Sequence, residues 1–297
     1  MCGVKNRDLA HSSKIYKWTD PRCTTEVLGI TGAQTKKILD QIIFINRDAV
    51  DQNVSPTLVL NNDEDWQTPQ PIEFYVDFEY MNDVMSSSSS MPVVETSSII
   101  FLIGVGYIDR FTNNWVYKKF VVDSLSLEEE LRVCKEFSDY IRTESEWWEC
   151  SNPLLIHWAP AENWQWANAI DRHNGVERAW IPAKEDCDTS IDPRWFDLLK
   201  VFKKEPIVIK GALGFSLKEV AGALSDHKLI KSTWDQTISC TNGTSAMLSA
   251  FKAAKDATTR GISLRDTPQM KDIIKYNEVD CRVVGEIVEY LREHHTE

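Results

Sequence analysis

The chain is short of positive charge and has no paired cysteines, and each shortage narrows what it does. Of its 297 residues, 33 are Lys or Arg against 45 Asp or Glu, a net charge of −12. Nucleic-acid contact therefore has to come from a local basic surface rather than from the average. The seven cysteines (Cys2, Cys23, Cys134, Cys150, Cys187, Cys240 and Cys281) are odd in number and form no CxxC pair. That argues against a disulfide framework and a zinc site, and for a reducing, intracellular setting in cytoplasm or nucleus. The N-terminus lacks the apolar core of a signal peptide, and the longest apolar run, residues 99–105, is far too short to span a bilayer. A soluble protein with no membrane partner is expected. GxxxxGKS/T, GxGxxG and GxSxG are absent, which sets aside ATPase, dinucleotide-binding and α/β-hydrolase chemistry as first readings.

What is present is enough for a large core: 42% hydrophobic residues and 11 Trp. Residues 1–70 differ from the rest. Residues 34–46 read as an amphipathic helix carrying Ile38, Ile42, Ile43 and Ile45, preceded by the glycines of Leu28-Gly29-Ile30-Thr31-Gly32, a turn whose alternative reading is a phosphate contact. Residues 51–71 are polar and proline-punctuated like a linker, and a boundary is expected near residue 70. Beyond it, residues 72–79, 99–107 and 115–122 read as strands. A helix capped by Ser124 follows, then a strand at 154–158, helices from about 161 and over 194–202, a short strand at 207–209, a helix begun by Ser216, and a last helix over 267–294. The expected fold is a three-layer α/β domain with a mixed sheet, over 71–297, behind a small helical N-terminal segment. The serine run 86–90 reads as an insertion between the first two strands.

Two short patterns carry chemistry. Asp77-Phe78-Glu79 at a strand end points two carboxylates to one face, with Val76 and Phe78 on the other. Tyr276 and Asp280 are four residues apart, about one helical turn, and flank the apolar stripe of Ile273, Ile274, Val279, Val283 and Ile287. Three carboxylates gathered together repel unless a divalent cation neutralises them, and two Mg2+ or Mn2+ ions are the known clamp for in-line attack on a phosphodiester. Each pattern alone also suits a solvent-facing pair. Residues 200–275 carry 13 Lys and Arg against 7 Asp and Glu. This surplus, with Lys210 and Lys218 in it, fits either a seat for a nucleic-acid backbone or a solvated helical surface.

In the order FYVDFEY, IGVGY, LLIHWAPAENW and YNEVDC, over about residues 72–295, the chain resembles the DEDDy exonucleases, the DnaQ-like branch of the ribonuclease H-like superfamily. Within that branch it is most similar to predicted RecB-family nucleases with a ribonuclease H-like domain, through His157-Trp158, Glu162, WFDLLK at 195–200 and GFSLKEVA at 214–221. The resemblance implies a ribonuclease H-like fold and metal-dependent 3′-to-5′ hydrolysis of DNA or RNA. It implies that Asp77 bridges two ions, that Glu79 and Asp280 complete the first site, and that Glu162 holds the second. Tyr276 would orient the attacking water, and His157 and Trp158 would lie against the terminal nucleotide of a single-stranded 3′ end. Glu162 stands where proofreading relatives carry Asp, and Asp197 is the rival fourth carboxylate, read here as a core-facing hydrogen-bonder. Two other readings compete: a catalytically silent nucleic-acid-binding module of a larger protein or complex, and a structure-specific endonuclease.

Overall fold

The structure, a computed structural model, describes residues 2–82, 98–173, 191–235 and 242–297. In chain order the elements are α1 (Val4–Ser12), α2 (Ala33–Ile43), β1 (Val54–Ser55), β2 (Glu73–Asn82), β3 (Ser98–Asp109), β4 (Asn114–Val121), α3 (Leu127–Trp147), β5 (Leu154–His157), α4 (Ala161–His173), β6 (Arg194–Asp197), α5 (Leu198–Lys204), β7 (Val208–Ile209), α6 (Leu217–Asp226), α7 (Gly243–Arg260) and α8 (Pro268–His295). The chain divides into two compact units, one of residues 1–68, 198–231 and 286–297, the other of 69–197 and 232–285. The N-terminal segment is thus clustered with two later stretches that the sequence reading assigned to the second domain. Among the described residues no helix is long and apolar enough to cross a membrane.

The first unit gathers around α2, whose Ile38, Leu39, Ile42 and Ile43 are buried at helical spacing. Leu39 and Ile43 pack with Ala10, Ile15, Cys23 and Leu28, while Ile38 and Ile42 pack with Ile45 and Val208. Residues 51–71 are not a linker. β1 pairs antiparallel with β7, and Trp66 is fully buried with its indole N–H on the Asn61 carbonyl at 2.7 Å. Composition misled here because a few apolar residues anchor an otherwise polar stretch. The short strand expected at 207–209 accordingly lies in this two-stranded sheet.

The second unit is α/β, with a mixed five-stranded sheet in the order β4-β3-β2-β5-β6. β2 pairs antiparallel with β3 and parallel with β5; β3 and β4 are antiparallel, β5 and β6 parallel. β2 is central and alternates. Phe78 meets Phe137 of α3 and Trp166 of α4 at centroid distances of 5.9 and 6.2 Å, whereas Tyr75 and Asp77 face Gly285 and Asn277 of α8. Helices on both faces are compatible with a three-layer fold. Two local readings change. Residues 194–197 form a strand beside β5 rather than the start of a helix, and Ser126, not Ser124, caps α3, its hydroxyl accepting from the Glu129 amide at 3.3 Å. The serine run 86–90 lies outside the described residues.

Behind the sheet, Glu130 of α3 is completely buried and fully engaged. It takes Arg172 at 2.6 Å, His173 at 2.9 Å and the Ile100 amide at 2.8 Å. Burial alone would raise its pKa, yet His173, Arg172 and that amide hold it below the ordinary carboxylate value. The far end of α4 is thereby fastened to α3 and β3.

Candidate metal centre

Asp77 and Glu79 stand two apart on β2, Tyr276 and Asp280 four apart on α8, and Glu162 is in the first turn of α4. All five line one cavity of about 420 Å3 in the second unit, together with Tyr80, Met247 and the start of α7 at Asn242, Gly243 and Thr244. Oxygens of Asp77, Glu79 and Asp280 lie within 4.8 Å of one another, a group that could hold a metal ion. Glu79 and Asp280 are buried.

The electrostatics of this cluster are dominated by burial and by the mutual repulsion of its acids. Burial first, then the charges of Asp280, Glu79 and Glu162, push Asp77 well above its ordinary value, against the opposing bond from Asn277. Glu162 is raised by burial, with His157 pulling it back. The Tyr276 hydroxyl is also raised, by burial and then by Asp280, Asp77 and Glu79, so it stays protonated. A carboxyl raised in the fold stabilises it below the unfolded pKa and loses that contribution as pH rises through the folded value. Relative to Asp77→Asn, the metal-free wild type is therefore expected to lose melting temperature as pH rises from about 4, and Mn2+ at a hundredfold excess over its Kd should restore about 2.7 kcal/mol. Thermal unfolding of wild type and Asp77→Asn in chelator and in Mn2+ checks this. Identical pH curves for the two proteins would remove Asp77 from the effect.

The carboxylates are held by groups the sequence reading passed over. Trp234 donates its indole N–H to Asp280 Oδ1 at 2.7 Å. Asn277, fully buried, donates to Asp77 Oδ2 at 2.6 Å. The signal for Asn277 was a polar residue on an apolar helical stripe inside a motif already in view; Trp234 gave none, because its partner is 46 residues away. The start of α7 was missed because no helix was expected there.

The expected substrate contacts are placed differently, whereas Asp197 lies where a core-facing hydrogen-bonder was expected. His157, 1% exposed, is not on the cavity wall; its Nδ1–H points to the Ala159 carbonyl at 2.6 Å and to Glu162 Oε2 at 3.2 Å, behind the carboxylate rather than against a nucleotide. Trp158 is half-buried and likewise off that wall. Asp197 does not reach the cavity: its Oδ1 accepts from the Ala159 amide at 3.0 Å. Ala159 has φ +74°, a left-handed conformation that costs a non-glycine residue about 1–3 kcal/mol. It persists because Asp197 holds its N–H and His157 its carbonyl. Lys210 and Lys218 belong to the first unit, where the Lys210 ammonium donates to the Ala49 carbonyl at 2.9 Å. No protein-family model, curated protein or solved structure matches the chain.

Proposed function

We propose that the protein is a metal-dependent 3′-to-5′ exonuclease of the DEDDy type on a ribonuclease H-like domain, acting on single-stranded 3′ ends of DNA or RNA. The observation that carries this reading is the convergence of Asp77, Glu79, Glu162, Tyr276 and Asp280, drawn from three elements and 203 positions of sequence, on one cavity. The mixed five-stranded sheet between helices is compatible with that fold.

The donor set fits divalent cations. It offers hard carboxylate oxygens, clustered tightly enough that burial and mutual repulsion push Asp77 toward the proton it would exchange for an ion. Asp77, Glu79 and Asp280 would hold one Mg2+ or Mn2+, and Asp77 with Glu162 a second. When bound, such ions supply a water acidic enough to attack near neutral pH and charge neutralisation at the scissile phosphate. The chain's own residues do the rest. Trp234 and Asn277 fix the carboxylates, and Tyr276, protonated and hydrogen-bonded to Asp280, presents its hydroxyl to the cavity to orient the water. Asn242, Gly243 and Thr244 bring the start of α7 to the same cavity, where the positive end of a helix dipole would favour a phosphate.

Incubating 5′- and 3′-labelled DNA and RNA oligonucleotides with Mg2+ or Mn2+ tests this, and a ladder receding from the 3′ end is the expected result. A circular single strand should survive; efficient cutting of it by the pure protein would reject the exonuclease in favour of an endonuclease. Tyr276→Phe should slow turnover by about 10- to 1000-fold, as expected for one orienting hydrogen bond, with metal affinity unchanged. An equal loss of metal affinity would move Tyr276 into the coordination sphere.

A further inference from the structure

Gly104 of β3 stands directly opposite Asp77 of β2. A Cβ on Gly104 would lie 1.6 Å from Asn277 Oδ1 and 2.9 Å from the Tyr117 hydroxyl, so a side chain there is sterically excluded. Asn277 of α8 fills the space. Its Nδ2 donates to Asp77 twice, to Oδ2 at 2.6 Å and to the backbone carbonyl at 3.1 Å, and its Oδ1 accepts from Tyr117 at 2.8 Å. The amide, wholly shielded from solvent, thus has its donors on Asp77 and its acceptor occupied from β4.

We infer that Asn277, seated by Gly104 and Tyr117, is the positioning residue of the metal centre: it locks the Asp77 carboxylate in the one orientation that leaves Oδ1 for the cation. The choice of amide has a physical reason. A Lys or Arg would hold Asp77 as firmly but would neutralise the charge a divalent ion requires, whereas a neutral N–H donor orients without competing. A donor directed at both the side chain and the backbone of one residue fixes χ1 as well as position.

The inference rests on the metal-centre reading above, but its test reads metal affinity rather than cleavage. Mn2+ binding is measured by electron paramagnetic resonance and calorimetry on the full chain, with thermal unfolding alongside. Asn277→Ala should weaken Mn2+ binding by about 10- to 100-fold, the usual loss when an outer hydrogen-bond partner of a ligand is removed. Gly104→Ala should weaken it at least as much, since its methyl displaces the amide. In the Asn277→Ala background Gly104→Ala should add less than about threefold, because both act on one contact. Tyr117→Phe, which removes only a hydroxyl, keeps the test decisive where Asn277→Ala fails to fold: it should weaken binding several-fold with the melting temperature nearly unchanged. Wild-type Mn2+ affinity in folded Asn277→Ala, or in Tyr117→Phe should Asn277→Ala not fold, overturns the positioning role and leaves the nuclease reading standing. Asn277-dependent Mn2+ binding in a protein that cleaves no nucleic acid does the reverse. Absence of Mn2+ binding by the wild type overturns both.

Discussion

Replacing Asp77 by alanine should abolish cleavage while the fold persists. Asp77 is the acid common to both proposed cation positions, and its neighbours Glu79 and Asp280 cannot move into its place because β2 and α8 fix them. Loss of a single group that stabilises transition-state charge costs about 10²- to 10³-fold, and loss of a shared ligand should exceed that. Stability should change little or rise in the metal-free protein, since the substitution removes an acid that its surroundings hold above its ordinary value. Asp280→Asn should also inactivate, although the isosteric amide still accepts from Trp234. Single-turnover assays with a melting curve separate the two effects; an active Asp77→Ala protein would sink the site.

Glu162→Gln against Asp197→Asn is the second decisive pair. Both acids are buried, but only Glu162 opens on the cavity. Gln keeps the shape and can still meet His157, yet lacks the negative oxygen, so activity should fall by about 10²- to 10³-fold. Asn at 197 retains a carbonyl oxygen for the Ala159 amide, and the loss should stay within about tenfold. The reverse order would transfer the fourth ligand to Asp197.

The parts of this site that were legible in the sequence are those set by a local period. DFE declares a shared face because a strand alternates, and YNEVD because a helix turns in 3.6 residues. What was not legible depends on a partner far along the chain. RWFD satisfies a helical pattern as well as an extended one, and only pairing with β5 makes it a strand. Ser126 lost to Ser124 because two serines two residues apart offer alternative frames, and the Glu129 amide chooses between them only once the helix exists. His157 read as a substrate contact only through the family resemblance; the left-handed turn at Ala159, beside which it lies against Glu162, leaves no trace in residue type. Gly104 was visible as a glycine in a strand, but the reason for it sits 173 positions later in Asn277.

Glu130 sets how far Glu162 can reach. With Arg172 and His173 tied to that buried carboxylate, α4 is tethered at its rear to α3. Glu162→Asp shortens the arm by about 1.5 Å, one carbon–carbon bond, and a tethered helix cannot advance to make up the difference. The stand-off of the helix and the length of the side chain are thus a matched pair. A chain that exchanges one without the other should lose the second proposed cation position while the hydrogen bonds of Glu130 remain in place.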